Sequence, residues 1–98
     1  MRKLVHEIWE TIDERGHVLP ALGLAGPDGD DFRKLLHEHA RQDGLGPPRC
    51  VRTFEAESHF EAMTIYYGHY NWGEYTTEFA SDLDFYPEEW ALRQAASS

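Results

Sequence analysis

Positive charge is scarce in this chain: nine Lys and Arg stand against eighteen Asp and Glu, a formal net charge of −9 at pH 7. Such a surface repels polyanions and lacks the attraction on which nucleic-acid binding relies, so DNA, RNA and anionic membranes are not expected partners. Cysteine is nearly absent as well. Cys50 stands alone, so no intrachain disulfide can form and a reducing, cytoplasmic setting is the expectation. Long apolar runs are missing: the longest, Val18 to Gly26, is too short to span a bilayer and contains Pro20. Near the start, His6, Glu7 and Glu10 interrupt what a signal peptide would need as its apolar segment. Neither a phosphate-binding loop of the GxxxxGK[ST] or GxGxxG kind nor a nucleophile elbow occurs, which argues against a nucleotide-dependent enzyme. No cofactor is indicated.

What the sequence does contain is aromatic surface. Three Trp, five Tyr and five Phe, within an apolar content of 41%, can offset chain entropy if buried, and 98 residues suffice for one core. A single domain over 1–98, ordered from about 3 to 92, is expected. Leu4, Val5, Ile8, Trp9 and Ile12 recur at helical spacing and predict a helix over 3–15, ended by Gly16. Val18 to Ala25 reads as a buried connector. A turn at Gly26 to Asp31 precedes a helix over 31–41, and Asp43 to Pro48 forms a loop. Pro87 suits the first turn of a helix over 87–94, with Trp90 docked inward and Ala95 to Ser98 frayed. The expected fold is therefore mainly α, with helices at about 3–15, 31–41, 58–70 and 87–94 and room for one small hairpin. The alternative is α+β, with strands near 18–25, 50–56 and 74–79.

The helix over 58–70 carries the strongest local signal. Ser58 followed by Glu61 is a capping box, in which each side chain satisfies a free backbone N–H at the helix start. Phe60, Met63, Tyr67 and Tyr70 recur on one face, which must meet a core, a partner chain or a ligand. Asn71 and Gly73 can both adopt the left-handed conformation that ends a helix.

Chemistry-bearing clusters are sparse. His37 and His39 lie two apart, so on a helix they diverge by about 200° and cannot share a zinc ion. His59 and His69 are separated by roughly 15 Å along a helix axis. Asp28-x-Asp30 opens like a calcium loop, but Phe32 and His39 occupy positions where oxygen ligands belong. Cys50 lies near Arg49 and Arg52 without the local signature of a cysteine enzyme. One composite site remains: His6, Trp9 and Glu10 meeting His59, Tyr66, Tyr67 and Trp72 in a ligand pocket of rings and imidazoles. Within it His6, Glu10, His59 and Glu61 offer the imidazole and carboxylate groups that suit a divalent metal.

The words His6-Glu7-Ile8-Trp9-Glu10, Leu24-Ala25-Gly26-Pro27-x-Gly29-Asp30, Ser58-His59-Phe60-Glu61-Ala62-Met63-Thr64-x-Tyr66-Tyr67, Trp72-Gly73-Glu74-Tyr75-Thr76-Thr77 and Tyr86-Pro87-Glu88-Glu89-Trp90 resemble those of a small uncharacterised bacterial protein family. The resemblance spans most of the chain and implies one compact domain, with no activity or cofactor to carry over. The leading functional expectation is a non-enzymatic interaction domain that forms a homodimer, since a chain this small cannot hide every large ring. A small-molecule or metal-binding protein or enzyme using the His/Glu/aromatic pocket is the alternative. The third expectation is an acidic inhibitor of a basic protein, matched by charge.

Overall fold

The computed structural model describes residues 3–96. Strands β1 (Leu4–Ile12) and β2 (Val18–Leu24) form a hairpin, and helix α1 (Asp30–Gln42) follows a short 3₁₀ turn. Strand β3 (Arg49–Ala56) leads into helix α2 (His59–Tyr70), and helix α3 (Glu88–Ala96) comes after a second 3₁₀ turn (Ala80–Leu83). The sheet is antiparallel in the order β2-β1-β3. The architecture is thus α+β, which overturns the mainly α expectation. Among the described residues no helix is long and apolar enough to cross a membrane.

The correction is concentrated at the start of the chain, where the expected helix over 3–15 is strand β1. Separations of four and eight are even, so they fit a strand's period of two as well as a helical one. Leu4, His6 and Ile8 share one face and are all buried, while Val5, Glu7 and Trp9 alternate onto the other. Because β1 is the central strand, both sets are covered and both read as apolar. Gly16 does not end a helix; it turns the hairpin at φ 82°. Its N–H donates to the Asp13 carbonyl at 3.0 Å. The Asp13 carboxylate accepts from the backbone N–H groups of His17 (2.8 Å) and Arg15 (2.9 Å), and the His17 bond first of all holds that carboxyl below its ordinary range. The stretch read as a connector is β2, and Pro20 is tolerated there because β2 is an edge strand.

Of the alternative strands, 18–25 and 50–56 correspond to β2 and β3, but 74–79 is irregular. Its Tyr75 instead packs against α2, with ring centroids 5.6 Å from Phe60 and 5.2 Å from Tyr67. The residues that α2 buries are Ala62 and Tyr66, so the expected inward face is displaced by about one residue. The Ser58 half of the cap is as read, with Ser58 Oγ accepting from the Glu61 N–H at 3.1 Å, while Glu61 Oε1 accepts at 2.8 Å from the N–H of Glu57, one residue before the cap, and not from that of Ser58. Asn71 ends the helix in the left-handed region at φ 57°.

Helix α1 covers the Val5/Glu7/Trp9 face. Arg33 reaches Glu7 at 3.2 Å and the Leu24 carbonyl at 2.8 Å, and the His37 ring meets the edge of Trp9 at 5.8 Å. Gly23 of β2 leaves room for the Phe32 ring, which a Cβ would strike. The opposite face carries α2 and the C-terminal segment. Tyr70 donates to Glu10 at 2.7 Å there, and Gln94 of α3 closes the end of β1. Its amide accepts from the Val5 N–H at 2.8 Å and donates to the Val5 and Ala25 carbonyls at 3.0 Å each, beside the bond that the Ala25 N–H already donates to the Val5 carbonyl. Helix α3 runs on to Ala96 where fraying from Ala95 was expected; 97–98 lie outside the described residues.

Candidate functional site

A cleft of about 550 Å³ opens between the Leu4/His6/Ile8 side of the sheet and the segment 81–90. Its far wall is pinned by main-chain bonds: Ser58 and Phe85 form an antiparallel bridge, and the Tyr86 N–H donates to the Glu57 carbonyl at 2.9 Å. Pro87 stands immediately before α3, which brings Trp90 onto Tyr86 with ring centroids 5.9 Å apart. Leu22 and Leu24 line the sheet side, Phe85 and Trp90 the other, and His59, Ser81 and Asp84 stand among them as polar groups.

His6 and Tyr86 form the cleft's buried polar pair. His6 is 3% exposed and stacks on Phe54 at 5.2 Å with ring planes 6° apart. Its Nδ1 lies 3.0 Å from the Leu4 carbonyl oxygen, which can only accept, so Nδ1 carries the proton. In the neutral ring Nε2 is then the acceptor, and the Tyr86 hydroxyl donates to it at 2.8 Å. Burial is the main cause that lowers the His6 pKa, with His59 adding to it; the Leu4 bond and Glu61 act in the opposite sense. Burial, with the negative charge of Glu61, pushes the Tyr86 phenol up to about 12. The pair therefore sits as neutral imidazole and neutral phenol, and the Tyr86 oxygen keeps its lone pairs for a further donor.

The composite site expected from sequence is divided by this fold. His6 and His59 do line one cleft. Tyr66, Tyr67 and Trp72 instead join Tyr70 in an aromatic cluster along α2, with Trp72 at 5.3 Å from Tyr66, 5.4 Å from Tyr67 and stacked on Tyr70 at 4.8 Å. Glu10 belongs to that cluster through Tyr70, whose phenol is raised well above its ordinary pKa by burial and then by the Glu10 carboxylate. Trp9 lies on the opposite face, donating to Glu7 at 3.1 Å. The expected metal set of His6, Glu10, His59 and Glu61 is not assembled: among the described residues no three His, Cys, Asp or Glu are placed to hold one ion. Both His6 nitrogens are already engaged, and Glu61 is committed to the helix cap.

Sequence reasoning missed Tyr86, Asp84 and Phe85. The only local signal was the pair Tyr86 and Trp90, four apart across the first turn of α3. His6 and Tyr86 lie 80 positions apart, so no spacing rule connects them. No family model, curated protein or solved structure matches the chain.

Proposed function

We propose that this protein binds a small, mainly apolar molecule in the cleft between the sheet and α3. The observation that carries the reading is the cleft itself: at about 550 Å³ it falls within the roughly 300–1,000 Å³ usual for small-molecule sites. Apolar walls with a few convergent polar groups are the composition such sites have. Binding is favoured over catalysis, because a phenol raised to about 12 is a reluctant acid and an imidazole with both nitrogens occupied is a poor base. Calorimetric titration with naphthylmethanol, a neutral bicyclic probe, tests it. Saturable binding that weakens on Phe85→Ala is expected; Phe85 is 66% exposed, so the substitution should leave the fold intact. Absence of binding by this probe and by the amine and carboxylate of the same ring system would remove the reading.

Self-association is the second reading, supported by the outer edge of β3, with which no strand pairs among the described residues. Arg49 and Arg52 lie in its first half and Glu55 in its second, with Glu57 just beyond. Antiparallel pairing with a second copy therefore sets basic half against acidic half, whereas parallel pairing would oppose like charges. Sedimentation equilibrium should show a dimer that Arg49→Glu weakens; a strict monomer at every concentration would exclude it. A cytoplasmic location belongs to the same proposal, supported by the exposed thiol of Cys50. Recovery of the protein from an oxidising compartment on cell fractionation would overturn it.

A further inference from the structure

We infer that the ligand of this cleft is a hydrophobic cation, a molecule with an aromatic or aliphatic body and an ammonium head, and that Asp84 selects it. This deepens the small-molecule reading and rests on it. The polar groups on offer are chiefly acceptors. The Tyr86 hydrogen is committed to His6, so the Tyr86 oxygen presents lone pairs. Asp84 adds a carboxylate at the rim, and the ion pairs among the described residues do not include it.

Among the described residues no Lys or Arg lines the cleft. The nearby cations are held elsewhere: Arg93 pairs with Asp28 at 3.0 Å, and Arg33 pairs with Glu7 and Asp30. The start of α2, whose free N–H groups would otherwise favour an anion, is already capped by Ser58 and by the Glu61 carboxylate. The basic side chains of the lining are His6, whose two nitrogens are already engaged by Leu4 and Tyr86, and His59. The body of such a ligand would lie against Leu22 and Leu24 on one side and Phe85 and Trp90 on the other, where an aromatic face can also receive a cation. The net charge of −9 adds a long-range attraction of the same sign.

The test compares three probes that share one ring system, naphthylmethylamine, naphthylmethanol and naphthoate, by calorimetry at low salt and neutral pH. The amine is expected to bind about tenfold more tightly than the carboxylate, with the alcohol between them, a ratio set by one partly solvated charge. Asp84→Asn should remove most of that preference by weakening the amine far more than the alcohol, and added salt should shrink it. Failure of all three probes would sink the cleft reading itself. Equal binding of amine and alcohol, or a preference that survives Asp84→Asn, would overturn the present inference alone. So would a preference for naphthoate that His59→Gln abolishes, since His59 would then be the selecting group.

Discussion

His6 is fixed by the Leu4 carbonyl, the Tyr86 hydroxyl and the Phe54 ring, and each of these partners suits the neutral imidazole. Because burial holds its folded pKa below the ordinary 6.5, the unfolded chain takes up this proton first as pH falls. The sign follows directly: the contribution of His6 to stability is present above pH 6.5 and is lost as pH drops through the lower folded value. Tyr86, His59 and Glu61 are the titratable groups acting on it, and Tyr86 stays protonated throughout this range. The thermal midpoint should decline as the solution is acidified from neutrality, before the carboxylates titrate. His6→Gln should lower the midpoint at neutral pH yet flatten that decline; an unchanged slope would mean another histidine is responsible. Tyr86→Phe, which leaves Nε2 without a donor, is expected to cost about 1–3 kcal/mol in denaturant unfolding.

Among the elements, the start of α2 offers the cleanest measurement. Ser58→Ala removes the acceptor for the Glu61 N–H and should cost about 1 kcal/mol, read as a fall in thermal midpoint of about 4–8 °C for a domain of this size. Glu61→Gln retains an oxygen for the Glu57 N–H and should cost much less. This helix was legible from Ser58, Glu61 and Asn71 because caps act within a few residues; α1, whose N-cap Gly29 makes no side-chain hydrogen bond, was legible from its apolar spacing, and α3 from Pro87 just before it. Strand β1 was not. Its residues at positions 4, 5, 8, 9 and 12 satisfy both periods, and only coverage of both faces, a tertiary fact, decides between them. The Thr and Tyr content of 74–79 misled in the opposite direction: Tyr75 serves α2, and among the described residues no strand pairs with this segment.

At the scale of the whole molecule, the sequence exposed the ingredients of the site better than their arrangement. His6 and His59 line one cleft, whereas Trp9, grouped with them on a helical geometry, lies on the other face of the sheet. The C-terminal wall depends on contacts such as Gln94 with Val5, 89 positions apart, which no local pattern announces. The self-association reading is also decided at this scale. Two copies carrying −9 each repel one another, so moderate salt should strengthen a β3-mediated dimer before it weakens the Arg49 to Glu55 attraction.

The Gln94 clasp has a consequence for biosynthesis. Strand β1 leaves the ribosome long before α3, yet Val5 receives the Gln94 amide, and His6 its Tyr86 hydroxyl, only after residues 86–94 have emerged. Leu22 and Leu24 therefore remain without their opposite wall for most of translation, a sticky half-cleft on a nascent chain. On the proposed function, ligand capture and closure of the fold become available at the same moment, so a molecule that fits the cleft would also act as a folding aid for newly made protein.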